Sequence, residues 1–176
     1  MCGRFSIPDK ELFLKHLGVE APARYVTRYN VAPTAQIPTL MARNKIADTK
    51  WGVVAKWSTK PLINARSETV ETKPTFKKSF VSSRCIIPAR GYFEWRATKD
   101  GKQPYFISNH NRFACFAGLF VEADGETYST IITRPATSEI DFIHNRMPLI
   151  IPNEDIHIWI DDIDYARKAL EVSKKP

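Results

Sequence analysis

The chain has 176 residues and a formal net charge of +7, with 43% hydrophobic and 11% aromatic residues. This length allows one domain with a sizeable core, and the apolar content excludes an intrinsically disordered protein. No apolar run is long enough to span a membrane, and the N-terminus lacks the apolar core of a signal peptide, so we expect a cytoplasmic protein with no membrane partner. The basic balance fits a polyanionic partner.

The first third of the chain predicts one helix and two strands. A helix is expected over residues 8–17, where Asp9 favours the first turn and apolar residues recur at helical spacing. A turn-rich loop over 29–33 precedes a strand over 36–42, and 51–57 is a second strand candidate. The segment 61–69 begins apolar and ends in a polar stretch that is expected to start a helix.

Strand signals dominate the rest of the chain. Strands are predicted over 81–87, 91–96, 104–108, 113–122 and 127–133, with hairpin turns at Asp100-Gly101 and Asp124-Gly125. A helix is expected over 138–143, and Asn153 is expected to cap a last helix. Because there are no repeats, low-complexity stretches or linkers, the pattern predicts a single α+β domain that is rich in strands, mostly antiparallel, with a few peripheral helices.

The three cysteines differ in their surroundings. They form neither a metal-ligand spacing nor a paired disulfide framework, so we expect no metal and no cofactor. Cys85 and Cys115 lie in apolar, strand-like runs and are interpreted as inert core thiols. Cys2 stands in a polar, basic context next to Arg4, and removal of Met1 would make it the N-terminal residue.

An N-terminal cysteine carries an amine and a thiol on adjacent carbons. The amine titrates near ~7.7–8.0 and the thiol near ~8.5, so both supply nucleophiles close to neutral pH. An aldehyde can form a Schiff base with this amine, and attack by the sulfur then closes a five-membered thiazolidine. The alternative interpretation is that position 2 is a small residue without a role.

Three further polar residues stand beside apolar runs, and each allows two interpretations. Asn64 follows two large apolar residues and is either a turn former or a buried amide with directed hydrogen bonds. Glu94 is flanked by aromatic residues, where desolvation should raise its pKa and suit it to acid–base work, unless it faces outward. His144, close to Arg146, suits proton transfer near an anionic substrate, unless it is a structural residue.

Arginines in predicted loops are suited to phosphate binding because the guanidinium group matches the phosphate geometry. Five arginines of this kind lie close to a glycine, proline or asparagine in the sequence: Arg4, Arg24, Arg28, Arg66 and Arg146.

Eight segments, in this order, resemble the SRAP (SOS-response-associated peptidase) family, the abasic-site-processing proteins. They are MCGRF (1–5), RYNVAP (28–33), WG (51–52), LINARSET (62–69), CIIPARGYFEW (85–95), QPY (103–105), FAGL (116–119) and HNRMP (144–148). The resemblance extends from residue 1 to about residue 152 and implies one SRAP-like domain over 1–176. Relatives usually continue with a final asparagine-containing strand, so a C-terminally shortened domain is expected. The segment between Trp57 and Asn64 is also shorter than in many relatives.

The resemblance implies covalent capture of an abasic site in single-stranded DNA. Met1 is removed, with self-processing as one route, and the Cys2 amine then attacks the C1′ aldehyde of the ring-opened sugar before the Cys2 thiol closes the thiazolidine. Asn64 would orient the N-terminal residue and the sugar, Glu94 would act as acid and base, and His144 would help to protonate the sugar. The same imine chemistry implies weak abasic lyase activity.

The resemblance also implies a DNA-binding surface. Arg4, Arg66 and Arg146 match phosphate contacts, and Asn30 and Thr133 match polar contacts. Pro33 and Trp57 are expected to wedge or stack against bases that flank the lesion, although Trp57 could instead pack in the core. The expected partner is single-stranded DNA containing an abasic site, bound by a monomer that is nucleoid-associated when on DNA.

Two other functions remain open from the sequence. An N-terminal-nucleophile hydrolase would use Cys2 on an amide or peptide, with its own amine as base. A non-enzymatic module would bind single strands through charge and stacking, and Cys2 would then be dispensable.

Overall fold

Eleven strands and four α-helices are formed by residues 2–55 and 58–174, the part of the chain that the computed structural model describes. The helices are α1 (Lys10–Leu17), α2 (Pro74–Ser82), α3 (Ile156–Asp161) and α4 (Ile163–Ser173), with a short 3-10 helix at Asn153–Asp155. The strands are β1 (Arg4–Ser6), β2 (Gln36–Ala42), β3 (Lys45–Trp51), β4 (Asn64–Arg66), β5 (Arg84–Ala89), β6 (Gly91–Thr98), β7 (Gly101–Ile107), β8 (Ala114–Ala123), β9 (Glu126–Pro135), β10 (Arg146–Pro148) and β11 (Ile150–Ile151). No helix within these two ranges has both the length and the apolar character needed to cross a membrane.

The larger sheet closes on itself. Its strands pair in the order β9, β3, β2, β5, β8 and again β9, and all of these pairs except β3–β9 are antiparallel. β10 pairs with β9 and β11 pairs with β8, at the end of the sheet where β8 and β9 separate from each other. Leu149, between β10 and β11, bridges the two strands: its N–H donates to Ile132 O and its carbonyl accepts from the Ala117 N–H, both at 2.8 Å. β4 pairs with the other side of β9 in parallel. This arrangement confirms the predicted single, strand-rich α+β domain with peripheral helices.

The smaller sheet holds the N-terminus. β6 lies between β1 and β7, with Arg4 opposite Phe93 and Glu94 opposite Tyr105. On its other side β1 forms a bridge to the 29–33 loop, because Phe5 and Val31 exchange both of their backbone hydrogen bonds. The residues just before β1 are thereby fixed beside the middle of β6.

Several predicted element bounds were wrong. The strand candidate 51–57, of which 56–57 lie outside the described residues, is wrong over 52–55, because β3 already ends at Trp51 and Gly52 turns the chain with φ +118°. A Cβ atom on Gly52 would lie 2.7 Å from the Cβ atom of Pro61, so this turn requires glycine. Residues 81–82 end α2 instead of starting a strand, and 138–143 forms turns instead of a helix. The predicted last helix is two helices, and Asn153 provides no side-chain cap.

Arg84 holds helix ends together from inside the protein. It is 4% exposed, and its guanidinium donates to the carbonyls of Phe80 and Val81 in the last turn of α2 and of Trp159 and Ile160 in α3, at 2.7–2.9 Å. These carbonyls have no partner within their own helices, so the buried cation satisfies four acceptors at once.

Replacing Arg84 by methionine is expected to lower the free energy of unfolding by about 3 kcal/mol, because the four carbonyls lose their charged donor while the volume is roughly kept. Urea unfolding with an unchanged m-value would measure it. The matched control is Arg167→Met. Arg167 is half-exposed and pairs with Glu71 and Asp164 on the surface, so its loss should cost no more than about 0.5 kcal/mol. Equal losses in the two variants would contradict this role of Arg84.

Candidate active site

Cys2 is buried just before β1. Its exposure is 0%, it packs in a cluster with Phe5, Trp51 and Tyr92, and its thiol donates a long hydrogen bond of 3.9 Å to Arg4 O. The polar, basic residues that surround Cys2 in the sequence did not indicate this burial. Burial raises the pKa of the Cys2 thiol well above its usual range, and the nearby Glu94 carboxylate raises it further. The thiol is thus protonated at neutral pH, and a base must take its proton before the sulfur can act as a nucleophile.

Asn64 ties β4 to the N-terminal residue. Its Nδ2 donates to the carbonyl oxygen of Cys2 at 3.0 Å, a contact that joins positions 62 residues apart. Its Oδ1 is buried and has no hydrogen-bond partner within the described ranges. The interpretation as an amide with directed hydrogen bonds is therefore confirmed over the turn former.

Glu94 faces inward from β6. It is 3% exposed, whereas the neighbouring Trp95 is 40% exposed because successive residues of a strand point to opposite faces. Arg4 pairs with Phe93, so Glu94 lies beside the residues that precede Arg4. The negative charge of Glu94 raises the pKa of the Cys2 thiol, in agreement with this placement. The outward-facing alternative was wrong.

His144 is fixed by the backbone of the chain just after it. The Arg146 N–H donates to His144 Nδ1 at 3.0 Å, so the neutral ring carries its proton on Nε2. Two residues earlier, the Phe142 ring packs edge-on against Tyr105, with ring centroids 6.0 Å apart, and Tyr105 lies directly opposite Glu94. The segment that carries His144 therefore packs against the strand pair that carries Glu94.

Arg146 is held in place by its neighbours. Its guanidinium forms an ion pair with both carboxylate oxygens of Glu68 and donates to the carbonyl and hydroxyl of Thr133, the latter two at 2.7 and 3.2 Å. These hydrogen bonds from Arg146 lower the pKa of Glu68. Thr133 is fully buried and accepts hydrogen bonds from the Arg146 guanidinium, so it orients Arg146, and its own contact with DNA stays a prediction.

The other predicted DNA contacts lie nearer the surface. Arg4 donates to the side-chain oxygen of Asn30 at 3.1 Å, which joins β1 to the 29–33 loop that also holds the half-buried Pro33. Arg66 is exposed, and within the described ranges its guanidinium has neither a hydrogen bond nor an ion pair. Trp57 lies outside the described residues.

Two residues that lie close to Glu94 and His144 in the chain were missed in the sequence. Arg96 follows Glu94 by two positions and Phe142 precedes His144 by two, and the Arg96 guanidinium carbon lies 5.5 Å from the centre of the Phe142 ring. Strand alternation could have placed Arg96 on the same face as Glu94, but no sequence signal pairs it with Phe142. Within the described ranges, no three His, Cys, Asp or Glu side chains are grouped so that they could hold a metal ion.

Comparison with solved structures supports the fold. The chain superposes on a protein from Bacteroides thetaiotaomicron with a TM-score of 0.83 at 23% identity, covering 98% of this chain and 86% of the other. A phage-related protein from Bordetella bronchiseptica gives a TM-score of 0.80 at 28% identity, covering 98% and 89%.

Sequence comparison connects the chain to named relatives. The abasic site processing protein YoqW of Bacillus subtilis is 33% identical, covering 97% of this chain and 87% of that protein. The abasic site processing protein YedK of Escherichia coli is 32% identical, covering 98% and 85%. The model of the family described as SOS response associated peptidase (SRAP) matches residues 1–176. The chain therefore belongs to the SRAP family.

Proposed function

We propose that this protein processes abasic sites in single-stranded DNA by forming a covalent bond through Cys2 once Met1 has been removed. The observation that carries the proposal is the N-terminal cysteine held between Asn64, through a 3.0 Å hydrogen bond, and the buried Glu94. The names of the relatives support it, because YoqW and YedK are both called abasic site processing proteins.

The reaction begins at the Cys2 amine. The amine attacks the C1′ aldehyde of the opened sugar and water leaves, which gives a protonated imine. Glu94 accepts the thiol proton, the sulfur bonds to C1′, and the π electrons of the C=N bond move to the nitrogen and close the thiazolidine. His144 can donate its Nε2 proton to the sugar during ring opening, and Asn64 fixes the Cys2 carbonyl so that the amine and thiol keep their orientation.

Two side activities belong to the same proposal. The imine withdraws electrons from the sugar, so a proton can leave C2′ and the 3′ phosphate can be eliminated, which is weak abasic lyase activity. Self-removal of Met1 would use the Cys2 thiol against the preceding peptide carbonyl and water to complete the hydrolysis. In both reactions a buried carboxylate next to the thiol supplies the base.

The DNA would follow the exposed cations around this site. Arg66 is exposed and would take a phosphate, Arg4 and Asn30 form one polar edge, and Arg146 is already oriented by Thr133. In the free protein the Arg146 guanidinium is paired with the Glu68 carboxylate. A phosphate that binds Arg146 would have to displace this carboxylate. Pro33 and Trp57 remain predicted contacts to flanking bases.

Intact-mass measurement tests the function. The chain lacking Met1, mixed with an abasic single strand, is expected to gain the mass of the strand minus one water in an adduct that survives heating without a reductant. The control chain carries a Gly-Ser extension before Cys2, which removes the free cysteine amine. If the chain lacking Met1 forms no adduct, or if both chains form it equally, the proposal fails.

Replacing Arg66 by alanine is expected to make the binding of an undamaged single strand less salt-dependent. One phosphate contact fewer should change the slope of log K against log salt by about 0.7. The matched control is Lys78→Ala, which removes the same charge from the exposed face of α2. Equal changes in the two slopes would mean that net charge, and not a contact at Arg66, governs binding.

A further inference from the structure

The side chain of Tyr92 carries a buried hydroxyl that has no role yet in the proposed reaction. The side chain is 2% exposed and its ring packs edge-on against Phe116, with ring centroids 6.0 Å apart. Its hydroxyl is buried and has no hydrogen-bond partner within the described ranges. Leaving a buried hydroxyl unpaired costs free energy, and phenylalanine would fill the same volume without that cost. The hydroxyl is therefore placed to serve a ligand or a reacting group.

The Tyr92 side chain shares one face of β6 with Glu94 and one buried cluster with Cys2. Tyr92 and Glu94 are two apart on β6 and face the same side, and Tyr92 lies opposite Phe5 on β1, in one buried cluster with Cys2. Burial raises the pKa of Tyr92 well above its usual range, and Cys2 and Glu94 raise it further. Tyr92 therefore stays a neutral phenol near neutral pH, able to donate a hydrogen bond.

We propose that the Tyr92 hydroxyl donates a hydrogen bond to the Cys2 sulfur as it becomes a thiolate and closes the ring. This inference rests on the proposed function and adds one residue to it. Glu94 takes the thiol proton, the sulfur bonds to C1′, and the C=N electron pair returns to nitrogen, while Tyr92 keeps its own proton throughout. A thiolate in an apolar cluster needs such a donor, because burial penalises its charge.

The role is confined to the second of the two bond-forming steps. The first step uses the amine, which does not require a thiolate, and the Asn64 contact that orients Cys2 is separate from Tyr92. A purely structural role would disturb both steps together. The two steps can be measured separately, because borohydride traps the imine whereas the closed ring survives heating without reductant.

The test uses Tyr92→Phe in the full chain lacking Met1, with an abasic single strand. We expect borohydride-trapped imine to form within about twofold of the unsubstituted rate, and the heat-stable adduct to form about tenfold more slowly, as for the loss of one hydrogen bond to a charged acceptor. Tyr165→Phe is the matched control. It removes a hydroxyl on α4 that donates to Asp155. Its rates should be unchanged, and melting temperatures of both variants check folding.

Three results would overturn the inference. An unchanged rate of ring closure in Tyr92→Phe would show that the hydroxyl does not assist the sulfur. Equal slowing of the imine and of the closed ring would show a structural role. If the unsubstituted chain forms neither product, the proposed function itself fails and the role of Tyr92 fails with it, whereas the first two results leave that function intact.

Discussion

Replacing Cys2 by alanine is expected to abolish the heat-stable adduct with abasic single-stranded DNA. An N-terminal alanine keeps the amine, so the imine still forms and borohydride still traps it. Without sulfur the ring cannot close, and the imine can return to aldehyde or proceed to β-elimination. The expected result is loss of the stable adduct to background together with increased strand cleavage, measured on one denaturing gel with and without reductant.

Cys85→Ala is the matched control for this variant. Cys85 is also 0% exposed, and burial raises the pKa of its thiol. Both substitutions empty a small buried volume and should each cost about 1 kcal/mol of stability. Cys85→Ala should therefore keep full adduct formation. A heat-stable adduct from Cys2→Ala would disprove ring closure by sulfur, and loss of the adduct in both variants would point to general destabilisation.

Local signals were sufficient for several parts of the fold. The strand over 36–42 was predicted with its observed bounds, and at the Asp124-Gly125 turn both residues have positive φ, 51° and 76°, as a two-residue hairpin requires. Cys115 was interpreted as an inert core thiol, and burial raises its pKa to about 12. For the strand and the turn, the determining interactions lie within a few residues, so a single sequence contains them. Cys115 was recognised from its apolar run, although its burial comes from contacts with the distant strands β5 and β11.

The candidate site depends on contacts between distant segments. Cys2 is buried because β1 inserts between β6 and the loop at Val31. A strand of three residues is too short to show a periodic pattern, so the sequence does not predict this pairing. Asn64 could be a turn former or a buried amide until β4 is seen beside β9. The pairing of Glu68 with Arg146 joins positions 78 residues apart. The motifs therefore identified the candidate reactive residues, whereas their burial and charge partners required the fold.

The electrostatics around Cys2 give Glu94 two effects of opposite sign. Its negative charge raises the pKa of the thiol, which by itself slows the reaction by keeping the sulfur protonated. Its carboxylate can also accept the thiol proton, which speeds the reaction. A substitution that removes the charge but keeps the shape separates these effects, because they predict changes of the rate in opposite directions.

Glu94→Gln is expected to slow adduct formation at pH 7 by about a hundredfold, since loss of a positioned base outweighs the easier ionisation of the thiol. Raising the pH should recover part of the rate, because solvent base then removes the proton from a thiol whose pKa is less elevated. The control Glu122→Gln makes the same change on the exposed side of β8 and should leave the rate unaltered. A faster reaction in Glu94→Gln would mean that the carboxylate acts only as an opposing charge, and the base for Cys2 would then have to be another group.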